Sequence, residues 1–220
     1  MDSTALWLTL QLAVATCAVL LVIGLPLAWW LARTTSKLRY PIEAVVALPL
    51  VLPPTVLGFY LLVFTAPGSA VGDTYEGITG DRLPFTFAGL LVGSVLFNLP
   101  FAVRPFAAAF AAVDDRLCDM AATLGSSTWQ TFWKVGVPLA APGLMAGLVL
   151  CFAHCIGEFG VVLMVGGNIP GVTRTLSISI YDDVQAMNYE SAASTSLWLV
   201  IAALVLLSCI QLLQRRRGGL

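Results

Sequence analysis

Charge is what this 220-residue sequence has least of. Asp, Glu, Lys and Arg together make up 10% of it, against 59% hydrophobic residues. A soluble domain carries about 25% charged residues, so an ordinary water-soluble fold is excluded at the outset. The few charges are also bunched. None occurs from Ala5 to Ala32, Ala44 to Gly72, Leu83 to Val103, Val135 to Gly157 or Ser191 to Gln214. Each run reaches or exceeds the ~20 apolar residues that cross a hydrocarbon core about 30 Å thick. The expectation is an all-α integral membrane protein with five transmembrane helices.

Other absences narrow the function. No Gly-x4-Gly-Lys-Ser/Thr phosphate loop is present, so ATP binding by that device is not expected. No paired carboxylates or nucleophile–base arrangement suggests catalysis, and the chain reads as a non-enzyme that binds no cofactor of its own. Without an internal repeat, a secondary transporter built from two related halves is disfavoured. One histidine and one fully intramembrane acid are a poor basis for a proton relay. A net charge of −1 gives no electrostatic case for a nucleic-acid partner.

Cysteine is absent from every place where a periplasmic disulfide would form. Cys17, Cys151, Cys155 and Cys209 lie in apolar runs and Cys118 in a polar loop. Cys151 and Cys155 are one helical turn apart, but a closed metal site needs four ligands. They read as small buried hydrophobes, and no metal is expected. The first apolar run follows no basic residue and exceeds the ~7–15 residues of a signal peptide core. Asp2, Ser3 and Thr4 read as N-cap candidates of a retained helix.

What is present begins with five spans, at about 5–31, 42–64, 85–113, 138–165 and 192–214, in a single transmembrane domain covering 5–214. Arg33, Lys37 and Arg39 follow the first span, Arg116 and Lys134 separate the third from the fourth, and Arg215, Arg216 and Arg217 end the fifth. The other loops hold Asp73, Glu76, Asp81, Asp182, Asp183 and Glu190 against Arg82 and Arg174. Basic residues mark cytoplasmic loops, so the N-terminus is expected outside and the C-terminus in the cytoplasm.

Trp29 and Trp30 read as an interfacial aromatic anchor. The second span contains Leu48-Pro-Leu-Val-Leu-Pro53-Pro54, which cannot be an uninterrupted helix. In hydrocarbon such a break survives where protein or water covers the freed carbonyls. Either it faces a pathway or subunit contact, or it is a packing kink. The loop 66–84, rich in Gly, Asp and Pro, is expected to be disordered. Twenty-nine helical residues in the third span, interrupted at Pro100 and Pro105, would measure about 43 Å and project past the bilayer.

Segment 114–137 is the most informative. Asp114 and Asp115 suit a helix N-terminus, Gly125 is a natural stop, and Ser127 to Gln130 fits a capping box opening a second helix. Trp129, Phe132 and Trp133 would anchor that helix, and Pro138 would start the next span. The pattern predicts a helix–Gly–helix elbow on the cytoplasmic side, small at its bend and aromatic beyond it.

Here the residues resemble a family. Asp119-Met-Ala121-x3-Gly125-x9-Val135-x-Val137-Pro138 is similar to the Glu-Ala-Ala-x3-Gly-x9-Ile-x-Leu-Pro signature of ABC importer permeases, with Asp119 in place of Glu and Met120 in place of the first Ala. Leu48 to Pro54, Gly157-Glu158-Phe159-Gly160 and Asn168-Ile-Pro-Gly171-x-Thr173-Arg174-Thr175 resemble the molybdate group of that family, over about residues 6–212. Sulfate and tungstate permeases share parts of the pattern. The resemblance implies a type I ABC importer permease fold in a bacterial inner membrane. It implies a homodimer with two copies of an ABC ATP-binding subunit below and a periplasmic or extracellular oxyanion-binding protein above. It implies a coupling helix that docks on the ATP-binding subunit through Ala121, Leu124 and Gly125, flanked by Asp119 and Ala122. An ion-coupled secondary transporter is the alternative from another class.

Two charges lie within the spans. Counted by helix rise, Arg104 falls near the cytoplasmic end of its span and Glu158 about 30 Å from the inner face, so the two are expected at opposite ends and unpaired. Arg104 reads as a snorkelling residue or as a cationic cavity lining. Glu158 would repel a dianion, so it is expected to hold an outer gate or subunit contact by hydrogen bonds, or to be a structural buried acid. Gly157 and Gly160 allow close backbone approach. Pro53, Pro54, Gly157, Glu158, Phe159, Gly160 and Arg104 are the candidate gate or pathway residues.

Overall fold

Asp2 starts the first helix by accepting hydrogen bonds from the backbone N–H groups of Thr4 and Ala5 at 2.9 and 3.0 Å, satisfying two donors that no helix can pair internally. The computed structural model, which describes residues 2–217, is helical throughout its regular structure. The elements are α1 (Ser3–Arg33), α2 (Arg39–Val51), α3 (Pro54–Thr65), α4 (Ala70–Thr79), α5 (Phe87–Ala111), α6 (Asp115–Thr123), α7 (Thr128–Thr131), a π turn (Phe132–Gly136), α8 (Val137–Ile156), α9 (Gly160–Gly166), α10 (Leu176–Gln185) and α11 (Tyr189–Arg217). The side chains of Cys209, Arg215, Arg216 and Arg217 lie outside the described set.

Among the described residues three helical stretches are long and apolar enough to cross a membrane: Ser3–Arg33, Phe87–Ala111 and Thr128–Ile156. The first, 31 residues, measures about 46 Å at 1.5 Å per residue. Where a second span is expected the chain forms the broken pair α2–α3, bent by 113°. Leu52 and Pro53 are extended, and Pro54 takes the first turn of α3, where its missing N–H is not needed.

The core lies between α1, α5 and α8. Leu20, Ala28, Val103, Phe106, Phe110 and Cys151 are fully buried there. Glycines on α8 set its register against α5. A Cβ added at Gly143 would lie 2.6 Å from that of Ala109, and one at Gly147 would lie 2.9 Å from that of Pro105. In lipid, small residues allow this approach and dispersion holds it.

Four features differ from expectation. The loop 66–84 contains α4, started by Ser69, which accepts from Gly72 N–H at 2.9 Å, and stopped by Gly80 at φ +77°. Turn-forming residues there are helix caps. Pro100 and Pro105 lie inside α5 without ending it. Pro138 stands in the first turn of α8, as expected, but α8 has no free start there, because helical chain runs on through Thr128–Ile156. The π turn just before it accommodates the missing donor and opens a notch at Gly136 filled by the Trp29 ring. Finally, the fourth span is not one helix over 138–165. Chain from Gly157 to Phe159 separates α8 from α9.

Candidate functional site

The two interrupted helices meet each other. A Cβ at Gly160 would lie 2.8 Å from the Cβ of Pro54, and one at Gly58 would lie 2.6 Å from that of Met164. Five candidate residues therefore share one place: Pro53 and Pro54 at the first break, and Glu158, Phe159 and Gly160 at the second. Gly157 adjoins them without a close approach. The nearest atom to an added Cβ is the His154 carbonyl oxygen at 3.8 Å, so only Gly160 needs its missing side chain.

Glu158 is 3% exposed. Its Oε2 accepts from the Ser94 hydroxyl at 2.7 Å and the Asn98 amide at 2.9 Å, both on α5. Asn98 Nδ2 also donates to the Ser94 carbonyl at 2.9 Å. With that nitrogen committed, Asn98 Oδ1 is the acceptor facing His154 Nδ1 at 2.8 Å, so the histidine donates from Nδ1. The imidazole stacks on Phe101, with centroids 3.7 Å apart. Among the described residues Glu158 Oε1 has no hydrogen-bond partner. The Glu158 backbone carbonyl accepts from Ser177 of α10, and Phe159 lies 5.1 Å from Tyr181 on the same helix. The break is thus tied to α5 on one side and to α10 on the other.

The hydrogen-bonding role expected for Glu158 is present, with a hydroxyl as one partner and an amide as the other. The expected depth is not. Glu158 sits opposite Ser94 and Asn98, which precede Arg104 on α5 by ten and six residues, or about 15 and 9 Å. Gly143, and not Pro138, lies level with the end of α5. Counting from Pro138 placed Glu158 too far out. Arg104 is exposed and takes no part in the Glu158 cluster.

The second candidate region is 114–137. Asp114 caps α6 by accepting from Arg116 N–H at 2.9 Å. The helix ends with Ser126 N–H donating to the Ala121 carbonyl at 3.0 Å and Gly125 N–H to that of Ala122 at 2.9 Å. Gly125 has φ +84°. These two bonds define a Schellman stop, which needs a left-handed residue where glycine stands. The capping box of Ser127 and Gln130 is formed, at 3.1 and 3.2 Å. Ala121 is half-buried, while Asp119, Ala122, Leu124 and Gly125 are exposed. The tip is apolar: Leu124 is 85% exposed, flanked by exposed Met120 and Trp129. Of the three expected anchors only Phe132 is buried. Trp129 and Trp133 pack on it at 5.4 and 4.8 Å and remain largely uncovered.

Sequence reasoning missed Ser94, Asn98, His154 and Ser177. Ser94 and Asn98 gave a usable signal, being two polar residues one helical turn apart in an otherwise apolar run. Ser177 gave none, because its role depends on how α10 folds back.

Comparison with known proteins follows the same architecture. Residues 24–217 match the family model described as "Binding-protein-dependent transport system inner membrane component". The molybdenum transport system permease protein ModB of Azotobacter vinelandii is 50% identical over 219 residues, covering 100% of this chain and 97% of the relative. The protein of the same name from Escherichia coli K12 is 34% identical over 216 residues, covering 96% and 94%. A solved bacterial ABC transporter involved in the import of the acidic polysaccharide alginate has a chain of the same fold. It matches with TM-score 0.74 at 21% identity, over 97% of this chain and 78% of that one.

Proposed function

The chain belongs to the family of binding-protein-dependent transport system inner membrane components, and on that premise we propose that it is the permease subunit of an ATP-driven importer of molybdate. The observation that carries the substrate is the end-to-end likeness to molybdenum transport permeases, at 50% identity over the whole chain. As a multi-pass inner membrane protein it provides a pathway, and a partner hydrolyses the ATP.

The finer assignment is five spans, counting the bent α2–α3 pair and α11, with the N-terminus outside and the C-terminus in the cytoplasm. The loop charges support it. Two copies of the chain form the pathway, surrounded by lipid. Two ATP-binding subunits dock below, and an oxyanion-binding protein delivers substrate from above. The apolar tip of 114–137 is the surface for the ATP-binding subunit: Ala121, Leu124 and Gly125 enter its groove, with Asp119 and Ala122 alongside. Exposed Leu124 on a capped, glycine-stopped turn supports that role, since a rigid apolar knuckle is what a groove on another protein accepts.

Pro53, Pro54, Gly157, Glu158, Phe159 and Gly160 form a gate. A carboxylate repels a dianion, so Glu158 does not ligate the substrate and instead locks the break to α5. Arg104, exposed and deeper along α5, lines the inner cavity, where a cation lowers the cost of an anion.

The assay is ATP hydrolysis by the complete importer in lipid nanodiscs, with the binding protein loaded in turn with molybdate, tungstate and sulfate. Stimulation strongest with molybdate is expected. Stimulation by sulfate alone would reassign the substrate.

A further inference from the structure

The cytoplasmic end assigned to α1 grips both ends of segment 114–137. Arg33 Nη2 donates to the Val113 carbonyl at 3.0 Å, just past the end of α5, and to that of Phe110 in its last turn at 3.4 Å, where it joins the Val113 N–H at 3.2 Å. Nη1 pairs with Asp115 at the start of α6. The guanidinium carbon stands 4.9 Å from the centroid of the Trp29 ring. The Arg33 side chain is 19% exposed, where a membrane-flanking arginine would ordinarily reach for water. Asp115 is 83% exposed, so that ion pair holds little by itself. The carbonyl bonds and the stack on Trp29 hold the guanidinium in place.

Trp29 takes the other end. Its ring meets Phe110 at 5.2 Å and Phe132 at 5.6 Å, both edge-on. It also fills the notch of the π turn, where a Cβ at Gly136 would lie 2.4 Å from the ring. One helical turn of α1 therefore touches the last turn of α5, the first residue of α6 and the π turn leading into α8.

The segment has two interruptions of its helical axis, the left-handed Gly125 at the tip and the π turn that Trp29 itself fills, and a π turn is a place where a helix kinks. We propose that Trp29 and Arg33 are positioning residues forming a clamp that makes 114–137 move as one body with α1, α5 and α8. A push on the docked tip then reaches the spans and is not absorbed at the interruptions. The inference rests on the reading of 114–137 as the ATP-binding subunit's docking surface.

The test uses the complete importer in proteoliposomes and reads ATP hydrolysed per molybdate taken up. Arg33→Gln and Trp29→Leu should raise that ratio about five-fold or more, the lower range of ordinary coupling between sites, with the ATP-binding subunit still copurifying at the wild-type ratio. Arg33→Lys keeps the charge but lacks the fork that reaches both carbonyls, and should raise it less. A wild-type ratio in Arg33→Gln and Trp29→Leu overturns the clamp. So does parallel loss of uptake and hydrolysis together with loss of the ATP-binding subunit, which marks a purely structural role. If Arg33→Gln does not insert, Arg33→Lys decides: a raised ratio upholds the clamp and an unchanged one overturns it. A wild-type complex that takes up molybdate without hydrolysing ATP contradicts the importer reading itself, and the clamp falls with it.

Discussion

Replacing Glu158 by alanine should be far more damaging than replacing it by glutamine. Glu158→Ala withdraws the acceptor from the Ser94 hydroxyl at 2.7 Å and the Asn98 amide at 2.9 Å, on two residues that are fully buried. Asn98 keeps the Ser94 carbonyl and a 3.3 Å bond to the Ser94 hydroxyl, but as a donor that hydroxyl keeps only a 3.9 Å contact to the Cys155 sulfur. One hydroxyl left without a good acceptor and one weakened amide cost about 1–3 kcal/mol each, or roughly 2–6 kcal/mol together. Glu158→Gln places an amide oxygen where Oε2 stands and keeps both bonds. Its NH2 takes the position of Oε1, which already lacks a partner, so the net change should stay near 1 kcal/mol. At roughly 2–4 °C per kcal/mol for a chain of this length, the thermal midpoint should fall by about 4–24 °C for Ala and by less than about 4 °C for Gln. The decisive assay is molybdate uptake by the assembled importer at matched membrane levels of both variants. Gln should retain substantial uptake and Ala should not. Equal damage by both would mean that the charge itself is required, and the hydrogen-bonded gate would be refuted. Wild-type uptake by both would remove Glu158 from the mechanism.

Three further predictions concern other parts of the molecule. In a cysteine-free background, single cysteines at Lys37 and Ser126 should be shielded from an impermeant thiol reagent in intact cells and one at Thr74 should be labelled; the opposite pattern would invert the topology. Ala121→Arg or Gly125→Asp should leave the permease inserted but abolish substrate-stimulated ATP hydrolysis, and the wild-type response in both would contradict docking at this turn. Gly160→Val forces a side chain against Pro54, whose Cβ lies 2.8 Å from the position a Cβ would take. Overpacking of this kind costs about 1–3 kcal/mol, so uptake should fall, whereas Gly157→Ala, with nothing nearer than 3.8 Å, should transport like wild type.

The long helices Ser3–Arg33, Phe87–Ala111 and Thr128–Ile156 were legible because lipid imposes one rule, long apolar helices, that charge-free runs report directly. The α2–α3 break was legible from its prolines and the 114–125 turn from its caps and Gly125, because both are local chemistry. The break at 157–159 carries no proline, and its nearest signal was a buried acid between two glycines. Helix α4 is hidden in the sequence because Ser69 and Gly80, turn-forming residues by type, are its two caps. The partners of Glu158 lie 60 and 64 residues away and those of Arg33 up to 82. Such contacts follow from the α1–α5–α8 packing register, which no single segment encodes. Depth failed for the same reason, since helix rise gives distance along a helix but not where its neighbour begins.

The central claim, that this chain conducts an oxyanion only when a partner hydrolyses ATP, is tested most directly by radiolabelled molybdate uptake into proteoliposomes. The permease alone is compared with the permease joined by its ATP-binding subunit and loaded binding protein, each with and without ATP. Uptake only in the complete assembly with ATP is predicted. Uptake by the permease alone, driven by an ion gradient without nucleotide, would contradict the account.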